Sequence, residues 1–203
     1  MSVGENTPTV VSFGEDLLER MVLAVEKVRD RLSRASAALD AMGIPYAVIG
    51  GNAVAAWVSK VDPGAARNTV DVDLMVNRAD FEGVKTTLEK AGFVYRRVLG
   101  VNIFLDGPDG RPSDGVHVLF AGEKVRPQYY AAAPLLIADQ SHSAYRLLDL
   151  EPLVTMKLTS FRRKDQVHLE DLIRVGLLDR SWLTRLQPEL AARLKELLDN
   201  PDD

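Results

Sequence analysis

Two carboxylates, Asp71 and Asp73, stand two residues apart in the stretch Val70–Val76. Residues alternate there: Val70, Val72 and Leu74 face one way, and Asp71, Asp73 and Met75 the other. The alternation predicts a β-strand with both acids on one face, roughly 6 to 7 Å apart at the rise of a strand. Both are ionised at neutral pH and repel each other. A divalent cation between or beside them removes that cost, and hard oxygen ligands suit Mg2+. About twenty residues earlier, Tyr46–Ile49 reads as a short buried strand running into Gly50, Gly51 and Asn52. Ala53, Val54, Ala56 and Trp57 then suit a short helix. A strand that turns on glycines into a helix can aim backbone N–H groups at an anion.

These residues sit in a chain of 203 residues, 46% hydrophobic and 27% charged, with a net charge of −4. That size gives one sizeable domain, or one domain with a small helical extension. The negative balance supplies no global attraction to nucleic acid, although a local basic patch stays open. There is no cysteine, which excludes disulfides, thiolate zinc sites and cysteine nucleophiles. No apolar run approaches membrane length and no charged-then-apolar leader opens the chain, so the expectation is a cytoplasmic protein without a membrane partner.

The elements that must position the acids follow in order. Ser12 and Glu15 form a candidate capping box for a helix ending near Met42, with Gly43 as its stop. Leu18, Met21, Val25, Val28, Leu32, Ala35, Leu39 and Met42 recur at alternating steps of three and four. Such a seam serves either a homodimer through the 13–42 helix or a stripe laid on the chain's own sheet. Leu17, Ala24 and Ala38 widen one flank, which favours the second. Phe81–Ala91 is the next helix, followed by one or two strands over Phe93–Leu105 bent near Gly100, a turn at Asp106–Gly110 and a strand at Val116–Phe120. Gly122–Pro134 is loop; beyond it only helices are expected, opening near Glu151-Pro152, Asp165 and Pro188. The fold class expected is α+β: a small mixed sheet flanked by helices, with a helical C-terminal part. Its expected divisions are 1–43 (tail and long helix), 44–135 (core) and 136–203 (C-terminal helices packed on the core).

Gly50-Gly51 before a short helix, then Arg67, Thr69, Asp71 and Asp73 at alternate positions, resembles the nucleotidyltransferase superfamily, and within it the AbiEii-type and minimal nucleotidyltransferases. Downstream, Met156-Lys157-Leu158, Arg162-Arg163-Lys164-Asp165 and Glu170-Asp171-Leu172 are similar to that branch's Lys-Leu, Arg-x-Lys-Asp, Asp-Leu segment. Together these matches span roughly residues 44–175. The resemblance implies that Asp71 and Asp73 hold Mg2+ on the phosphates of a nucleoside triphosphate. An acceptor hydroxyl would attack the α-phosphate and expel pyrophosphate. Gly50 and Gly51 would admit the phosphates, and Asn52, where relatives carry serine or threonine, would donate an N–H. Lys157 would neutralise phosphate charge, and Arg67 would do the same or brace the Asp pair. The acceptor stays open between a small molecule, a protein side chain and an RNA end, and the branch suggests a toxin–antitoxin or defence role.

One position departs from the family. The third acid is expected on the strand Val116–Phe120, where His117 stands instead; Asp114 lies three residues earlier. Either His117 substitutes as a base, or Asp114 does, or the chain is a degenerate member that binds nucleotide as a regulatory module without turnover. His117 as a simple core histidine is equally open. His168, three residues before Asp171, reads as an intrahelical contact. His142 lies in a Ser-His-Ser run with no nucleophile motif. Tyr129 and Tyr130 can stack on a base or pin their loop. A glycosyltransferase using Asp-x-Asp ranks last, because only one strand precedes the pair.

Overall fold

The computed structural model describes residues 15–136, 141–142 and 145–200. Ser12 of the expected capping box and the side chain of His142 lie outside the described residues. The first helix, α1 (Glu15–Ala41), ends where Gly43 takes φ +63°, a conformation that suits glycine. Only the C-terminal half of its apolar stripe is laid on the protein: Val28, Leu32, Ala35 and Leu39 are buried, whereas Leu18, Met21, Val22 and Leu23 are exposed. Beyond it run β1 (Tyr46–Ile49), α2 (Gly50–Ser59), β2 (Val72–Val76), α3 (Phe81–Lys90), β3 (Phe93–Val98), β4 (Val101–Asp106) and β5 (Val116–Phe120). Beyond Pro134, where helices alone were expected, β6 (Ser141–His142) pairs antiparallel with β7 (Tyr145–Arg146) as a separate two-stranded ribbon, and three helices close the chain: α4 (Leu150–Ser160), α5 (Arg163–Arg174) and α6 (Pro188–Asp199).

Strands β1 to β5 form one mixed sheet in the order β1-β2-β5-β4-β3. Only the β2–β5 pair is parallel. The fold is thus the expected α+β arrangement of a small mixed sheet among helices. A single hydrophobic cluster runs from α1 through the sheet to α6, with Val48, Leu74, Met75, Phe104, Leu158 and Leu194 almost wholly enclosed. Among the described residues no helix is long and apolar enough to cross a membrane.

Strand β2 is shorter than the alternation predicts, starting at Val72 rather than Val70. Its antiparallel partner β1 reaches only Ile49, opposite Asp73, before Gly50 turns the chain away. The carbonyls ahead of β2 are taken by side chains instead. Arg31 Nη1 donates to Val70 O at 3.2 Å, and Asn52 Nδ2 to Asp71 O at 2.6 Å. Val70 is therefore exposed, and Asp71 sits just before the strand rather than in it.

The β3–β4 hairpin turns through Leu99 (φ +49°) and Gly100 (φ +84°), with Val98 opposite Val101. Two central residues at positive φ make the turn favoured by twisted hairpins, but leucine pays a steric penalty there that asparagine largely avoids. Leu99 is fully exposed, so nothing is lost by replacing it. Leu99→Asn is expected to raise unfolding stability by about 0.5–1 kcal/mol, read from urea denaturation.

Candidate functional site

The glycine turn between β1 and α2 shapes one wall. Gly50 has φ +69°, and a Cβ there would lie 2.0 Å from Asp73 Oδ2. The Asp73 carboxylate therefore rests over a backbone that only glycine leaves open. A Cβ on Gly51 would lie 2.9 Å from Thr69 Oγ1 and 3.4 Å from His168 Nε2. No side chain caps the N-terminus of α2, and its first turn holds no acid. Its leading amides, with the positive end of the helix dipole, face the turn.

Parallel pairing places His117 directly beside Asp73. Their side chains meet with His117 Nδ1 3.6 Å from Asp73 Oδ1, a close electrostatic contact slightly long for a full hydrogen bond. Attraction to Asp73 is the largest influence on His117 and raises its pKa above the ordinary 6.5, with Asp71 adding to it against the pull of burial. Lys164 Nζ comes within 3.9 Å of Asp71 Oδ2. Each carboxylate thus has a cation or imidazole near it, which offsets their mutual repulsion.

The opposite wall comes from α4 and α5. Leu148 N donates to Val48 O at 3.1 Å, and Trp57 Nε1 to Leu148 O at 3.0 Å, fixing the start of α4 against β1 and α2. Helix α4 ends at Phe161, a non-glycine residue at φ +44°. This strained reversal folds α5 back onto α4 and brings Lys157 onto α5's inner face. Lys157 Nζ lies 3.1 Å from Asp165 Oδ1 and 2.9 Å from His168 Nδ1. Arg162 Nε donates to Asp165 Oδ2 at 2.7 Å, and Ser160 Oγ to the same oxygen at 2.8 Å. Burial pushes the Asp165 carboxyl upward, but Arg162, Lys157 and Ser160 outweigh it and hold the group down at about 2. Burial also lowers the Lys157 ammonium below its ordinary 10.5, opposed by Asp165.

Between the walls lies an open cavity of about 570 Å³. Gly50, Gly51, Asp71, Asp73 and His117 line one part of it, and Lys157, Arg162, Lys164, Asp165 and His168 another. Arg67, Arg126 and Tyr129 also reach it. Carboxylates beside a glycine turn, facing a group of cations, can accommodate a polyanion together with a divalent cation. Among the described residues no three His, Asp or Glu side chains are grouped to hold a metal alone.

No family model matches the chain, and no curated protein matches it in sequence. Among solved structures it is similar to an antigenic nucleotidyltransferase-like protein from Paracoccidioides brasiliensis, at 20% identity and a TM-score of 0.54, with 86% of this chain and 88% of that one covered. The chain has a nucleotidyltransferase-like fold. The antibiotic-resistance factor ANT(2'')-Ia is a weaker likeness, at 17% identity and a TM-score of 0.43 over 89% of this chain and 92% of that one. The Megavirus polyadenylate synthase is weaker still, at 11% identity and a TM-score of 0.41 over 97% of this chain and 36% of that one. Those two carry no weight on function.

Within this nucleotidyltransferase-like fold, most residues singled out from the sequence converge on one cavity: Gly50, Gly51, Arg67, Asp71, Asp73, His117 and Lys157. Two do not. Asn52 does not line the cavity, because its amide is committed to the Asp71 carbonyl; it positions Asp71 and is not directed at a phosphate. Asp114 lies in a turn before β5, accepts from Ser113 Oγ at 3.0 Å and stays outside the lining. Arg67 braces Asp171 at 2.9 Å and not the Asp71–Asp73 pair. Lys157 is not a bare point cation, since Asp165 already answers it.

Sequence reasoning takes His168 for an intrahelical contact with Asp171, and the structure corrects this. Its contact is Lys157 on the neighbouring helix, not Asp171, which is occupied by Arg67 and Arg174. The signal was present in the helical spacing: Lys164, Asp165 and His168 fall three and four residues apart and share a face. Burial first, and then the charge of Lys157, drives the His168 pKa from 6.5 to about 4. A histidine kept neutral in the fold is protonated more easily when unfolded, so stability is full above pH 6.5 and falls as the pH drops toward 4. The drop from 6.5 to about 4 corresponds to about 3 kcal/mol at most, and partial exposure reduces that to roughly 1–2 kcal/mol. Urea denaturation at pH 7 and pH 5 is expected to show this loss in the wild type and less of it in His168→Asn.

Proposed function

We propose that the chain is a Mg2+-dependent nucleotidyltransferase that moves a nucleoside monophosphate from a nucleoside triphosphate to an acceptor hydroxyl. What supports this reading above all is the shared cavity, with Asp71 and Asp73 beside the glycine turn and Lys157, Arg162 and Lys164 across from them. The donor set fits the ion. Mg2+ keeps several non-protein ligands, so two carboxylates, phosphate oxygens and water suffice, and Gly50 leaves the Asp73 carboxylate its room. When bound, the metal would neutralise phosphate charge and make an attached hydroxyl more acidic. The protein's own part is to bind and orient. The leading amides of α2 would receive a phosphate, Lys157 and Arg162 would fix its charge, and Lys164 and Arg67 would add attraction from partly exposed positions. The order of glycine turn, Asp pair and downstream lysine segment also favours the AbiEii-type branch and, with it, a toxin–antitoxin or defence setting. The acceptor is a small molecule, a protein side chain or an RNA end.

A second reading has its own support. The third-acid position holds His117, whose pKa is raised by Asp73. Histidine is a less usual Mg2+ ligand than a carboxylate, and that favours a nucleotide-binding module without turnover. Pyrophosphate release with Mg2+ and each nucleoside triphosphate, measured across pH, separates the two. An active chain that uses His117 as base is expected to lose rate as the pH falls through a value above 6.5. His117→Asp is then expected to keep or raise turnover, His117→Ala to lose most of it, and Asp114→Ala to leave it unchanged. Binding without release in the wild type would establish the module, and neither binding nor release would leave only a fold.

A further inference from the structure

His168 is a polar side chain at the heart of the cavity to which neither the motif nor the mechanism above gives a task. It stands where the two walls meet. Its Nδ1 is 2.9 Å from Lys157 Nζ. An ammonium has only hydrogens to offer, so Nδ1 must accept, and the ring proton of the neutral imidazole belongs to Nε2. That nitrogen is directed at the glycine turn: a Cβ on Gly51 would lie 3.4 Å from Nε2 and 2.9 Å from Thr69 Oγ1. Two donors, His168 Nε2–H and the Thr69 hydroxyl, therefore flank the backbone at the start of α2. Lys157 arrives from the same side, its other contact being Asp165 Oδ1 at 3.1 Å.

We propose that His168 is a binding residue of the triphosphate site, with Nδ1 positioning the Lys157 ammonium and Nε2–H donating to the phosphate seated at the Gly50–Gly51 turn. It rests on the nucleotide reading given above and adds to it a donor of neutral charge. The groups around the ring suit that role: Lys157 from α4, Asp165, Lys164 and Asp171 from α5, and Thr69 and Gly51 on the side of the turn. The two cations disfavour a third charge, so the ring stays a fixed dipole. A neutral donor adds a hydrogen bond without competing with Lys157 for Asp165.

The two ring nitrogens can be tested apart, because asparagine places its amide near Nδ1 and glutamine places its amide near Nε2. Inorganic tripolyphosphate, titrated calorimetrically into the full chain at pH 7.5, probes the phosphate contacts alone, with each variant's melting temperature recorded alongside. His168→Gln is expected to bind within about threefold of the wild type, and His168→Asn and His168→Ala about tenfold or more weaker, the loss typical of a hydrogen bond to a charged group. If His168→Ala does not fold, the Asn and Gln variants decide. Affinities equal to the wild type in all three variants, or equally reduced in all three, would overturn the proposal while leaving the nucleotide reading intact. A folded wild type that binds neither tripolyphosphate nor any nucleoside triphosphate would overturn both.

Discussion

Asp165→Asn is expected to cost the fold about 3–5 kcal/mol, the scale for removing one partner of a buried ion pair. Asp165 is wholly enclosed and takes bonds from Lys157, Arg162 and Ser160. An amide of the same shape can accept on one side only and carries no charge. Lys157, itself only 5% exposed, would be left as an uncompensated ammonium. The pH dependence has a definite sign. The carboxyl is held at about 2 against an ordinary 3.8, so its contribution is full above pH 3.8 and is lost as the pH falls toward 2. That shift accounts for about 2 kcal/mol; the remainder of the mutational cost is the stranded lysine. Lys157→Met combined with Asp165→Asn should recover part of it, because a neutral pair no longer strands a charge. Urea denaturation at pH 7 followed by circular dichroism measures both variants.

The second large effect is on binding and leaves the fold almost untouched. Asp73 is partly exposed and its contact with His117 is 3.6 Å, so Asp73→Asn should change stability by less than about 1 kcal/mol. Relief of repulsion from Asp71 adds little, since His117 and Lys164 already offset it. On the reading proposed above, the same substitution removes one of the two carboxylates that would hold Mg2+. It should therefore cost more than about tenfold in affinity for a magnesium–nucleotide complex. His117 would lose the largest influence on its pKa as well, which should bring it back toward 6.5.

The sequence carried much of this because its periods were clean. Tyr46–Ile49, Gly43 and Val116–Phe120 lie where alternation and glycine punctuation put them. Local spacing is blind to where side chains from distant segments intrude. Asn52 and Arg31 take the carbonyls of Asp71 and Val70, and so shorten β2. The stripe of α1 is continuous in sequence, yet the protein covers only its C-terminal half. In the site, the Asp pair and the glycine turn were legible as types and spacings, and Lys157 through the family resemblance. That Asp165 is buried rather than solvated, and that His168 meets Lys157, depends on the reversal at Phe161, which no glycine or proline announces.

The central claim is that Asp71 and Asp73 bind a divalent cation together with a nucleoside triphosphate in this cavity. Calorimetric titration of nucleoside triphosphates into the wild type and Asp73→Asn, each with Mg2+ and with EDTA, tests it most directly. The expected result is tight binding by the wild type only with Mg2+, and a variant whose affinity with Mg2+ falls to the level of the wild type in EDTA. Equal affinities for wild type and variant in the presence of Mg2+ would contradict it.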